Sequence, residues 1–160
     1  MPVTLSDSEI RQLVEVAKLL PKDYQSRIIV RPKRGHKESE LDIKAEDQND
    51  FRIILRQSQF NAFDFSAILV YRPPKTNQLF RLRRYNGKSH QHTNTIEGET
   101  FYDYHIHMAT QRYQEIGGRE DSYAVPTNRY ADLHEAISCM ISDCHFDLPP
   151  NIQGGLFGEV

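Results

Sequence analysis

Between residues 27 and 86 the chain repeats one pattern: a short run of β-branched, aromatic and leucine residues, then a cluster of turn formers. The runs are 27–31, 41–44, 51–55, 65–72 and 79–85. Their composition suits a half-buried pleated surface. The breaks carry Arg34-Gly35-His36, residues 47–50, residues 73–77 and Asn86-Gly87-Lys88, where glycine, proline and asparagine favour chain reversal. Links this short usually join antiparallel neighbours. The pattern therefore predicts a curved antiparallel meander of five to six strands, with 101–108 as a further strand.

A helix is predicted on each side of the meander. Over 6–20, Ile10, Leu13, Val14, Ala17 and Leu20 form one apolar stripe, and Ser6 with Glu9 has capping-box spacing. Pro21 closes that helix. Over 129–146, Leu133, Ala136, Ile137, Met140 and Ile141 share a face, and Pro149-Pro150 ends the segment. The expected class is α+β: an N-terminal helix, the meander, and a C-terminal helix packed on one sheet face. With 160 residues the chain is expected to form one domain over 1–148. Residues 149–160, with three glycines among them, are expected to be a loose tail.

Several classes are excluded by composition. The longest apolar run, 67–71, falls far short of the roughly 20 residues that span a bilayer. The N-terminus has no basic region followed by an apolar one, so no signal peptide is expected. Two cysteines, Cys139 and Cys144, argue against a secreted disulfide scaffold and for a reducing cytoplasm. No membrane association is expected.

The net charge of −2 hides segregation. Residues 65–96 contain no acid but hold Arg72, Lys75, Arg81, Arg83, Arg84 and Lys88. A second acid-free stretch, 24–37, is followed by the acidic stretch 38–50. Strand alternation places Arg81, Arg83 and Tyr85 on one face, with Phe80 and Leu82 toward the core. Guanidinium forks suit phosphate oxygens, and a tyrosine ring can stack on a base. The plainer alternative is that these arginines pair with the acidic stretch across the sheet.

Seven histidines are present, and four lie within residues 90–107, where an even spread would put about one. They form two pairs, His90-Gln91-His92 and His105-Ile106-His107. Residues two apart on a strand share a face, so His105 and His107 point one way, with Asp103 in step. One reading is acid–base catalysis: two imidazoles as base and acid in RNA cleavage, with no cofactor. A second is a divalent-metal site made from His90, His92, His105 and His107. A third is a set of histidines with no chemical role.

The run from Arg83 to Glu99, then His105-Ile106-His107, then Tyr123-Ala124-Val125-Pro126, resembles an uncharacterised bacterial domain family. That family carries a His-Thr-Asn-x-x-Gly-Glu pattern, here lengthened by one residue, a His-x-His, and an Ala-x-Pro segment before a C-terminal helix. The chain is more distantly similar to the TumE-type toxins of toxin–antitoxin modules, which share a meander ending in an Arg-Tyr turn and a His-x-His strand. The resemblance implies a small cytoplasmic protein, and it points to Arg84, Tyr85, His92, Asn94, Glu97, His105 and His107.

The resulting expectation is a toxin-like endoribonuclease or RNA-binding protein of a toxin–antitoxin or phage-defence system. His105, His107 and His92 would be catalytic; Arg81, Arg83, Arg84, Tyr85 and Asn94 would bind substrate. Partners would be RNA and a cognate antitoxin or other protein. The alternatives are a metal-binding protein and a non-enzymatic interaction module. The sequence leaves oligomeric state open.

Overall fold

The computed structural model describes residues 3–149. Its elements, in chain order, are α1 (Asp7–Glu15), β1 (Lys18–Leu19), α2 (Tyr24–Arg27), β2 (Arg31–Lys33), β3 (His36–Lys44), β4 (Asp50–Ser58), β5 (Phe65–Arg72), β6 (Phe80–Asn86), β7 (His92–Asn94), β8 (Glu99–Phe101), β9 (His105–Met108), α3 (Gln111–Glu115), β10 (Tyr123–Pro126), α4 (Leu133–Asp143) and β11 (Phe146–Asp147). Seven strands form one antiparallel sheet in the order β10-β9-β6-β5-β4-β3-β2. The fold is α+β, with the N-terminal helix and the C-terminal α4 against the sheet.

One sheet face is apolar. Leu41, Ile43, Phe51, Ile53, Leu55, Phe65, Leu69, Phe80, Leu82, Tyr85 and Ile106 form a single cluster with the stripes of α1 and α4. The α1 stripe is Ile10, Leu13 and Val14, and the predicted capping box is present: Ser6 Oγ accepts from Glu9 N–H at 3.1 Å, and Glu9 Oε1 accepts from Ser6 N–H at 3.0 Å. The helix stops at Glu15, five residues before the predicted end. Val16 turns extended so that Lys18-Leu19 can pair in parallel with Phe146-Asp147.

Other boundaries differ for similar reasons. The run 27–31 is no strand: Tyr24–Arg27 closes a helical turn that buries Tyr24, and the strand begins at Arg31. The predicted strand 41–44 is the end of a nine-residue strand inside the sheet, paired along its length with β4. The segment 101–108 breaks into β8 and β9, since Tyr102, Asp103 and Tyr104 leave the ladder. The C-terminal helix spans Leu133–Asp143 rather than 129–146, with Asp132 as its N-cap. The sheet gains β2 and β10, neither of which was predicted. Most of the expected tail, 150–160, lies outside the described residues.

The opposite face is polar, and the strand register arranges it in rows. One row runs Glu38, Arg56, Ser66, Asn86, His105 and Pro126. The next runs Glu40, Ile54, Ile68, Arg84, His107 and Ala124. A bulge shapes these rows. Leu69 faces Arg83 and Val70 faces Arg81, leaving Leu82 as the extra residue. Alternation along β6 therefore resets. Arg81 and Arg84 lie on the polar face, whereas Tyr85 turns into the core and Arg83 lines a cleft beside α1 with Asp7 and Asp143. The expected shared face of Arg81, Arg83 and Tyr85 does not exist.

Candidate metal centre

Three of the four clustered histidines meet on the polar face. His105 and His107 come from β9, and His92 from the β7–β8 hairpin that lies over it. Ring centroids are 5.4 Å apart for His92–His105, 4.8 Å for His92–His107 and 4.9 Å for His105–His107. One ring nitrogen from each lies within 4.8 Å of the other two. His105 and His107 are buried and His92 is half-buried.

The hydrogen bonds fix all three tautomers. His105 Nδ1 lies 2.8 Å from the Asp103 carbonyl oxygen, and His107 Nδ1 lies 2.7 Å from that of Asp121. A carbonyl only accepts, so both Nδ1 atoms carry the proton and both Nε2 atoms hold lone pairs. His92 Nε2 lies 2.8 Å from Asn94 Oδ1. Asn94 cannot flip: its Oδ1 accepts from Ala124 N–H at 2.9 Å, and its Nδ2 donates to the Ala124 carbonyl at 2.7 Å. His92 must therefore donate from Nε2 and keep its lone pair on Nδ1. Each imidazole commits its one N–H to a fixed partner, as the outer-shell bonds of metal-ligating histidines do.

The free lone pairs have little else to bind. His105 Nε2 is buried without a hydrogen-bond partner. Burial pushes the His105 pKa down to about 4. Burial, then the Arg84 charge, pushes that of His107 down to about 2. Both rings are neutral at pH 7, the form that ligates metals. A tetrahedral ion with metal–nitrogen bonds of about 2.0–2.1 Å needs nitrogens about 3.3 Å apart. The three nitrogens lie within 4.8 Å of one another, wider than that spacing by up to about 1.5 Å.

Arginines border the triad. Arg84, opposite His107 in the ladder, donates from Nε to Asp121 Oδ2 at 3.0 Å. Arg81 lies 3.5 Å from Asp121 Oδ1 and 3.4 Å from Glu120 Oε1. Asp121 is wholly buried, so its side chain holds Arg84 while its carbonyl holds His107. Arg84 lines two clefts, of 230 Å³ and 360 Å³. His90 lines the larger one, its ring 6.4 Å from that of His105, and lies outside the three-residue cluster.

Residues 5–146 match the model of DUF6978, a family of unknown function. The chain belongs to this family. No curated protein and no solved structure matches it. The resemblance to an uncharacterised domain family thus has its counterpart in DUF6978.

In this DUF6978 domain the expected site residues separate into three groups. His92, His105, His107 and Arg84 come together, with Arg81 beside them. Arg83 and Tyr85 lie on the other face; the Tyr85 ring is wholly buried and its hydroxyl donates to Asp143 at 2.7 Å, leaving no open ring face for a base. Asn94 is buried as the pin that joins hairpin and β10. Glu97 also has a holding part: it accepts from Tyr113 Oη at 2.6 Å and pairs with Arg112 at 2.7 Å. Asp121 and the Asp103 carbonyl escaped sequence reasoning. Backbone acceptors carry no residue signature, and Asp121 meets Arg84 only across 37 positions.

Proposed function

We propose that this domain is a metal-dependent phosphodiesterase acting on RNA, with one divalent ion held by His92, His105 and His107. The observation that carries the proposal is that each imidazole gives its N–H to a fixed partner and keeps its other ring nitrogen unprotonated, in a cluster where one nitrogen of each ring lies within 4.8 Å of the other two. A divalent ion there would acidify water and offset charge on a phosphoryl oxygen. The protein's own residues do the rest. Asp103, Asp121 and Asn94 hold the rings in the ligating tautomers. Arg84, anchored through Nε, keeps its terminal guanidinium nitrogens for a phosphate.

The metal-free acid–base mechanism is less well supported, because it needs one protonated imidazole and burial keeps both His105 and His107 neutral. Similarity to TumE-type toxins suggests the biological frame: a toxin-like or phage-defence ribonuclease, restrained by a partner protein.

The test is elemental analysis of untagged protein, joined to RNA cleavage on a denaturing gel with and without EDTA. One ion per chain, and cleavage that EDTA abolishes and added zinc or manganese restores, is the expected result. Cleavage that persists in EDTA would return the histidines to acid–base work. Metal-free protein that takes up no zinc or manganese would refute the centre.

A further inference from the structure

The larger cleft extends away from the imidazoles along one strand row. Its floor carries Arg56, Ser66 and Asn86, consecutive members of the row that continues to His105. Three strand spacings separate Arg56 from His105, about 14 Å. At 360 Å³ the cleft has the size of small-ligand sites, about 300–1,000 Å³. It is not an apolar slot. Arg84 and His90 stand at the imidazole end, Arg56 and His36 at the far end, and Asp64 is the one carboxylate lining it.

The wall is built with unusual closeness. A Cβ on Gly87 would sit 1.9 Å from the Phe63 carbonyl oxygen, so only glycine lets the β4–β5 loop lie against the end of β6. That loop holds Phe60 out of the core, 86% exposed, beside Gly35 at the cleft's rim. Phe60 N–H donates to Ser58 Oγ at 3.0 Å, which fixes the loop under an exposed ring. Arg56 is similarly available: its nearest acid, Glu38, is 3.9 Å away and already takes His36 at 3.0 Å.

A basic track with an aromatic platform at one end fits a nucleotide chain. Guanidiniums take the backbone, and an exposed ring stacks on a base that is free of a pairing partner. A duplex hides its base faces and offers only its outer surface, which a cleft of 360 Å³ cannot enclose. We infer that the 360 Å³ cleft seats a single-stranded segment of nucleic acid, with phosphates on Arg84 and Arg56 and a base against Phe60. This deepens the phosphodiesterase reading and rests on it only for the direction of the strand, which would run from Phe60 toward the imidazoles.

The test separates the two. Binding of a fluorescein-labelled single-stranded oligoribonucleotide is followed by anisotropy in EDTA, where no metal chemistry occurs. Phe60→Ala and Arg56→Ala change exposed side chains, and thermal melts check that both variants fold. Each should weaken binding about tenfold. Arg56→Ala should also lower the salt dependence by about one ion. The duplex of the same sequence should bind more weakly than the single strand. Variants that bind like wild type would overturn the inference, as would equal affinity for the duplex or full competition by a glutamate-rich peptide. Wild-type protein that binds the strand but never cleaves it when metal-loaded would remove the phosphodiesterase and leave the cleft.

Discussion

Asn94 offers the sharpest test of how the candidate centre is held. Its side chain does the work of a missing strand residue, pairing both the N–H and the carbonyl of Ala124. Ala124 is 1% exposed, so Asn94→Ala leaves two backbone groups buried without partners. Each costs about 1–2 kcal/mol, which predicts a total loss of roughly 2–4 kcal/mol. For a domain of this size that lowers Tm by roughly 5–15 °C. The variant also releases His92 Nε2, and losing such an outer-shell bond weakens metal binding roughly 10–100-fold. Asn94→Asp should not rescue. One carboxylate oxygen can still accept from Ala124 N–H, but the other would face the Ala124 carbonyl with no proton to donate. Denaturant unfolding reads the first effect, and competition with a chromophoric chelator the second. Wild-type stability with wild-type zinc affinity in Asn94→Ala would refute both the pinning of the hairpin and its link to the ligand.

Three further outcomes follow from single features. Lys18 is wholly buried, its ammonium donating to the carbonyls of Val14, Val16 and Cys144 at 2.8–2.9 Å beneath the Phe51 ring, so Lys18→Met leaves three carbonyls without that donor and should cost about 3–5 kcal/mol in denaturant unfolding. A Tm within two or three degrees of wild type would show that those carbonyls find other donors. The His105 and His107 pKa values lie below the unfolded value of 6.5. Between about pH 6 and 4 the unfolded chain therefore takes up protons that the folded chain does not, and metal-free stability should fall by roughly 2 kcal/mol per pH unit from this pair. A His107→Asn variant with the same pH slope as wild type would refute that assignment. Gly87→Ala should destabilise by about 1–3 kcal/mol, because the clash is with backbone rather than a side chain that can turn away; thermal melting reads it, and an unchanged Tm would mean the β4–β5 loop moves freely.

What sequence could reveal here depended on whether the signal was local. The strands 51–55 and 65–72 and the stripes of α1 and α4 were legible because burial on one face imposes period 2 or period 3.6 within a few residues. His92, His105 and His107 were legible as candidates because imidazoles cluster in the chain. The failures are tertiary. The end of α1 is set by Lys18 pairing with a strand near residue 146, far away in the chain. The face of Arg83 and Tyr85 depended on a bulge that no residue type announces. Alternation was sound for Phe80 to Leu82 and failed one residue later, since an inserted residue shifts everything after it. The acid-free stretch was also misleading in isolation: Arg72 finds Asp42, and Arg81 and Arg84 find Glu120 and Asp121.

That shift by one residue decides what the centre contains. Without the bulge, Arg83 and Tyr85 would stand on the polar face and Arg84 would point at the helices. With it, Arg84 comes opposite His107, and one buried aspartate serves both: the Asp121 carboxylate fixes Arg84 and its carbonyl fixes the His107 tautomer. A change in how Asp121 sits must therefore move the Arg84 guanidinium and the His107 imidazole together. Hairpin β7–β8 completes the arrangement through a separate hold, with Asn94 tied to Ala124 and Glu97 tied to Tyr113 and Arg112. Two of the three imidazoles thus belong to the rigid sheet and one to an appended hairpin. The nitrogens must close by more than an ångström to meet a tetrahedral ion, and His92, half-buried on the hairpin, is the least enclosed of the three. An ion bound there would rest on two imidazoles fixed by the sheet and one carried by the hairpin.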